Sequence, residues 1–106
     1  MPRYKLVVFS SCPDGEEDAF NRWYDLEHLP DVLAVPGFVS ASRGCAAPGN
    51  VLAEEASPSP RYLAVYQLVT DDVRAALSEL KARVEDGRIH LSPLLAEVET
   101  HLFEDL

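Results

Sequence analysis

Strand-like and helix-like segments follow one another along this chain in an order that few folds can accommodate. Residues 4–10 mix β-branched and aromatic types and end at a turn-rich group. Residues 38–45 and 61–69 have the same strand character, and residues 95–103 alternate apolar with polar side chains. The pattern predicts four strands, with a long polar connection over residues 46–60 that we expect to be mobile.

Two segments between these strands have helical periodicity. The first begins near Glu16, where acidic residues suit the positive end of the helix dipole. Pro30 is expected to bend it after His28, and a short continuation ends at Pro36. The group Thr70-Asp71-Asp72 supplies caps for the second segment, and Gly87 is placed to end it. Its apolar residues recur at helical spacing: Val73, Ala76, Leu77, Leu80 and Val84.

The resulting β-α-β-β-α-β order predicts one α+β domain of the ferredoxin-like kind over residues 1–106. In this arrangement two helices cover one face of a four-stranded antiparallel sheet. A chain of 106 residues has the usual size of a single domain. Because the helices shelter one face of the sheet, an apolar opposite face is covered most simply by a second copy. The sequence therefore predicts a homodimer.

Composition excludes several classes of partner. The formal net charge of −9 would repel phosphate backbones, so we expect no nucleic acid partner. No apolar run approaches the roughly 20 residues needed to cross a bilayer, so we expect no membrane partner. Cys12 and Cys45 have neither a metal-binding spacing nor the density of a disulfide scaffold, and we interpret them as ordinary small residues. A cytoplasmic location fits best.

The sequence also lacks the common motifs that bind cofactors or metals. The sequence contains no GxGxxG, Walker or GxSxG motif, so it gives no support to a nucleotide cofactor or to acyl-enzyme chemistry. His28, His90 and His101 form no HxxxH or HExxH spacing, so we predict no metal site. Cofactor independence is the simplest interpretation.

The segment FNRWYDLEHLPDVLAVPGF over residues 20–38, followed by RYLAVY over residues 61–66, resembles the dimeric α/β-barrel superfamily, and most of all its EthD-like and related bacterial members. The likeness in element order covers nearly the whole chain. It implies a homodimer whose two sheets face each other as a barrel, with a small-molecule pocket between sheet and helices in each subunit. Similar proteins include cofactor-free monooxygenases, polyketide cyclases, decarboxylases, lyases and heme-degrading enzymes, so the resemblance leaves the reaction open.

Four residues are candidates for catalysis: His28, Tyr24, Asp31 and Glu27. His28 leads because imidazole titrates near neutrality and lies where the first helix meets the proline, although a histidine there could simply offset the helix dipole. Glu27 projects on the apolar side of the helix, where it would either serve acid–base work or pair with an arginine. Asp31 would either orient His28 or cap the short helical segment.

Aromatic residues are candidates for substrate binding. Phe20, Trp23 and Tyr24 share the inward stripe of the first helix, where they either line a cavity or pack in the core. Tyr62 and Tyr66 would leave room between two phenols if they face the helices, and period-two alternation permits the opposite direction equally.

His90 lies in a loop that could close over a pocket, or it is simply exposed there. Together these residues favour a cofactor-independent enzyme that transfers protons during cyclisation, decarboxylation, lyase or oxygenation chemistry. Its substrate would be a hydrophobic aromatic or polyketide-like molecule. The alternative is a noncatalytic dimeric protein that binds a ligand or another partner, with the helix aromatics serving as core.

Overall fold

The structure is a computed structural model that describes residues 1–53 and 61–106. Residues 54–60 of the predicted polar connection lie outside the described residues. The strands are β1 Arg3–Ser11, β2 Phe38–Cys45, β3 Tyr62–Val69 and β4 Ala96–Glu104. The helical elements are α1 Glu17–Trp23, a π-helical turn Tyr24–His28, α2 Leu29–Leu33 and α3 Val73–Glu85.

The four strands form one antiparallel sheet in the order β2-β3-β1-β4. The two central strands are therefore β1 and β3. A helical segment follows each of them in the chain. This topology confirms the ferredoxin-like α+β fold that the order of segments predicts.

One face of the sheet packs against the helices. Every second residue of β3 is buried: Tyr62, Ala64, Tyr66 and Leu68. Leu6 of β1 pairs directly with Tyr66 and is buried on the same face. The aromatic rings of Phe20 and Tyr62 lie 5.1 Å apart, which places α1 over this face. The alternation left the direction of Tyr62 and Tyr66 open, and the structure shows that both face the helices.

Helix α3 begins and ends as its sequence predicts. The side chain of Asp72 accepts a hydrogen bond of 3.0 Å from the backbone N–H of Ala75, which caps the first turn. Gly87 has a φ of +85°, a left-handed conformation that glycine adopts without strain, just beyond the last residue of the helix. Between these signals, α3 turns its apolar residues toward the core.

The helix preceding Pro30 widens into a π-helical turn. The backbone N–H of Leu29 donates to the carbonyl of Tyr24, five residues back instead of four. Proline lacks an N–H, and its ring would clash with the carbonyl of Leu26 in a regular α-helix. The wider turn relieves this conflict, so the change expected after His28 takes the form of an inserted residue in the helical repeat.

Candidate active site

A cavity of about 300 Å³ lies between the sheet, the π-helical turn and α3. Among the described residues that line it, the polar ones are Tyr24, His28, Tyr66 and Thr100. The apolar lining consists of Leu6, Val8, Val32, Leu80, Val84, Leu91, Leu95 and Val98. A mostly apolar cleft with a few convergent polar groups is typical of a small-molecule site.

His28 presents a neutral imidazole to this cavity. Its ring is stacked on Trp23 at 4.8 Å and meets Tyr24 edge to face at 5.0 Å. Burial lowers the pKa of His28 from 6.5 to about 4, the charge of Asp31 partly opposes this effect, and Arg43 adds to it. Its Nδ1 atom is buried without a hydrogen-bond partner among the described residues. At neutral pH the imidazole is therefore unprotonated and able to accept a proton.

Two buried phenols share the wall with this imidazole. The hydroxyl of Tyr66 donates a long hydrogen bond of 3.5 Å to the hydroxyl of Tyr24. Burial raises the pKa of both tyrosines, so both remain protonated at neutral pH. Because Tyr24 is the acceptor in this pair, its own proton is available to a ligand oxygen.

Sequence reasoning missed Arg43, the cation nearest to these phenols among the described residues. Its guanidinium lies 4.1 Å from the centre of the Tyr24 ring. Its Nη1 donates to Asp25 at 2.9 Å, and its Nη2 donates to Asn21 at 2.8 Å. Arg43 pairs with Ala64 across β2 and β3, so it lies on the helix-facing side of the sheet. The one sequence signal that could have identified Arg43 is its position as a charged residue among the small residues of β2.

The structure brings three of the predicted residues together at the cavity: His28, Tyr24 and Tyr66. Phe20 is fully buried among other rings and does not line the cavity. Trp23 does not line the cavity, but its ring stacks on the ring of His28. Tyr62 lies instead beside Arg43 in a separate groove of about 260 Å³.

One expectation about position is wrong: Glu27 is exposed rather than turned toward the core, because the wider helical turn puts His28 in the inward place. Of the two alternatives for His90, the structure shows the exposed one, and His90 does not line the cavity, whereas its neighbour Leu91 does. Asp31 is half-buried and lies close enough for its charge to act on His28.

Within residues 1–53 and 61–106, no group of three or more His, Cys, Asp or Glu side chains is placed to hold a metal ion. In the same ranges, none of the helices has the length and apolar character that a membrane span requires.

No protein-family model matches this chain, and neither does any curated protein. The chain is similar in structure to the heme-degrader MhuD of Mycobacterium tuberculosis, which was solved with two hemes in its active site. The TM-score is 0.67 and the identity is 16% over 97% of this chain and 95% of MhuD. It is also similar to an EthD family protein of Bacillus halodurans, with a TM-score of 0.61 and 18% identity over 100% of both chains.

A third similar structure is a dimeric ferredoxin-like protein of Thermobifida fusca, with a TM-score of 0.53 and 17% identity over 96% of this chain and 90% of that one. At such identities the likeness establishes the fold. The ferredoxin-like α+β fold, which the chain shares with the EthD family protein, is therefore confirmed. Fold and cavity together define the class: a ferredoxin-like α+β protein with a partly open cavity of ligand size.

Proposed function

We propose that this protein is an enzyme that transfers a proton to or from a carbon atom of a hydrophobic, aromatic or polyketide-like molecule without a bound cofactor. The observation that carries the proposal is the neutral imidazole of His28, which lies beside two coupled phenols in an otherwise apolar cavity. In this assignment His28 accepts the proton, Tyr24 donates a hydrogen bond to the oxygen of the substrate, and Tyr66 donates to Tyr24.

The reaction step is the removal of a proton next to a carbonyl group. The C–H bond breaks and its proton goes to the imidazole of His28. The electron pair moves toward the carbonyl oxygen, which becomes an enolate oxygen and accepts a hydrogen bond from Tyr24. The imidazolium then returns a proton to carbon or to a leaving group. In the proposal the negative charge of Asp31 stabilises the imidazolium. Glu27 receives no role because it is exposed.

The likeness to MhuD raises the question of heme. The cavity of about 300 Å³ is at the lower end of the usual range for drug-sized ligands, roughly 300–1,000 Å³. Its described lining contains no arginine or lysine that could pair with the propionate groups of heme. The residues therefore fit heme poorly, and no step of the proposed reaction passes through it.

The proposal includes a homodimer formed through the uncovered face of the sheet. This face carries half-buried apolar residues and one that is more than half exposed: Val7, Phe9, Leu63, Val65 and Phe103. A second copy would cover this surface by twofold symmetry. The Thermobifida fusca protein of the same fold is itself named as dimeric.

The proposal also includes a location in the reducing cytoplasm, because Cys12 and Cys45 are both free thiols.

Deuterium exchange into anthrone tests the proton transfer. Anthrone is a flat aromatic ketone with an acidic methylene group, and its exchange in D₂O under nitrogen is followed by proton NMR. We expect the protein to exceed the rate given by an equal concentration of free imidazole. His28→Ala should lower the rate by about 10²-fold or more, the usual contribution of a general base. His90→Gln, at an exposed histidine that does not line the cavity, serves as the matched control and should retain the rate.

The two classes of function give different results. If the protein and His28→Ala bind anthrone equally and exchange it at the same rate, the chain is a noncatalytic binding protein and the enzyme assignment fails. Binding is measured separately by the change in the methyl NMR signals of the cavity residues, so that loss of affinity is not mistaken for loss of catalysis.

A further inference from the structure

Arg43 is a buried cation that the proposed proton transfer does not itself use. Its side chain is 11% exposed, and it lies outside the lining of the main cavity. A buried charge is costly unless it is fully paired, and the Nε atom of Arg43 is buried with no partner among the described residues. Its carboxylate partner Asp25 is 56% exposed, and such pairs add little to stability. Stability alone therefore gives a poor account of this arginine.

The guanidinium is aimed at one ring. It lies 4.1 Å from the centre of Tyr24, compared with 5.7 Å for both Phe20 and Tyr62. A cation at that distance over an aromatic face is attracted to it. The hydrogen bonds that Arg43 donates to Asn21 and Asp25 fix the plane of its guanidinium.

Tyr24 links this cation to the cavity. Its hydroxyl meets that of Tyr66 at 3.5 Å, and its ring meets the imidazole of His28 at 5.0 Å. Any displacement of the Tyr24 ring would therefore move the hydroxyl that we assign to the substrate oxygen. Arg43 touches the ring from outside the cavity and contacts neither the ligand space nor the reacting atoms.

We propose that Arg43 is a positioning residue, which holds Tyr24 against the cavity and favours negative charge on a ligand oxygen bound to the Tyr24 hydroxyl. The inference rests on the proposed function, since it gives Arg43 its part in the same proton transfer. Its effect is indirect, through a neighbouring ring and through its charge.

The charge of Arg43 acts on the three titratable groups of the cavity wall, Tyr24, Tyr66 and His28. It lowers the pKa of Tyr24 and of Tyr66, against the larger effect of burial, and it also lowers the pKa of His28. A positive charge behind the phenols makes Tyr24 a better donor to a developing enolate oxygen and Tyr66 a better donor to Tyr24. The same charge keeps the imidazole free of a proton before the substrate is bound.

The test compares Arg43→Met, which removes the charge, with Arg43→Lys, which keeps it without the planar fork. In Arg43→Met the pKa of His28, read from its imidazole proton signals, should rise above its value of about 4. Anthrone exchange should slow by about 10-fold to 100-fold, as expected when a binding group is displaced. Arg43→Lys should leave the His28 titration near its original position and slow the exchange less.

Arg61→Met is the matched control. Arg61 also lies over an aromatic ring, at 5.4 Å from the centre of Tyr62, but it is half-exposed and its charge is not among those that shift the pKa of Tyr24, Tyr66 or His28. This variant should leave both the His28 titration and the exchange rate unchanged.

A folded Arg43→Met protein with an unchanged His28 titration and unchanged exchange would overturn the proposal. If Arg43→Met does not fold, Arg43→Lys decides: exchange at the original rate would refute the positioning role. Failure of the proposed function looks different, since the unaltered protein would then give no exchange above free imidazole, while the His28 titration would still report on Arg43.

Discussion

The neutral state of His28 makes the stability of the protein depend on pH. In the folded chain the pKa of His28 is about 4, whereas the unfolded chain has the ordinary value of 6.5. Between these values the unfolded chain holds a proton on this imidazole that the folded chain lacks. Acid therefore favours the unfolded chain, and this contribution to stability, complete above pH 6.5, is lost as the pH falls toward 4.

The size of the effect follows from the shift. A pKa difference between 6.5 and about 4, at about 1.4 kcal/mol for each pKa unit, corresponds to about 3 kcal/mol of unfolding free energy. This is a large share of the 5–15 kcal/mol that is usual for a whole domain. His28 is 8% exposed, so solvent screens the effect little.

Urea denaturation at a series of pH values from 7 to 4 measures this contribution. The protein is compared with His28→Gln at one fixed concentration, because dimerisation would make stability depend on concentration. Carboxylates titrate in the same range in both proteins, so their effect cancels in the difference. We expect the unaltered protein to lose about 3 kcal/mol more than His28→Gln over this interval.

The exposed His90 provides the control, since His90→Gln should follow the pH dependence of the unaltered protein. Parallel curves for the protein and His28→Gln would refute the reasoning. So would an NMR titration that gives His28 a pKa near 6.5, because the imidazole would then be hydrated and the cavity would lack a desolvated base.

Two further predictions concern the sheet face and the phenol pair. Phe103→Glu should convert a homodimer into monomers in light scattering, because Phe103 is 56% exposed on the uncovered face, whereas Leu26→Glu, at a 73% exposed position on the helical layer, should not. A monomeric unaltered protein, or a dimeric Phe103→Glu variant, would exclude this interface. Tyr66→Phe removes the donor of a 3.5 Å hydrogen bond and should cost at most about 1 kcal/mol of unfolding free energy, while it weakens anthrone binding. Unchanged binding would remove Tyr66 from the site.

The elements with regular periodicity could be predicted closely from sequence. Residues of β3 alternate without interruption, and α3 has both a capping Asp72 and a terminating Gly87. In these segments local preference and core packing favour the same structure, so each side chain falls where a simple repeat places it. Tyr24 was predicted for the same reason, because it lies on the inward stripe of the first helix, whereas the repeat put His28 only on the flank of that stripe.

The rest could not be predicted because two inserted residues break the repeat. The π-helical turn adds one residue to the helical period, so that His28 replaces Glu27 on the inward side. In β2 the pairing shifts at Val39, so that Phe38 and Ala41 both face the helices, although residues three apart in a regular strand point to opposite faces. Counting by twos from Phe38 would send Arg43 to the opposite face. Such bulges are set by pairing between distant strands, which the local sequence does not encode.

The charges around the cavity constrain the form in which a substrate arrives. Tyr24, Tyr66 and His28 are all neutral at pH 7, and the nearest described cation, Arg43, already shares its charge with Asp25. An anionic ligand would have to lose its hydration without a free counter-ion, in a protein whose net charge is −9. A neutral ketone needs no counter-ion and loses much less hydration free energy when it enters the cavity. Once its proton passes to His28, the imidazolium and the enolate form as a pair, and Arg43 stabilises the negative partner. We therefore expect the site to select molecules that enter neutral and become charged during the reaction.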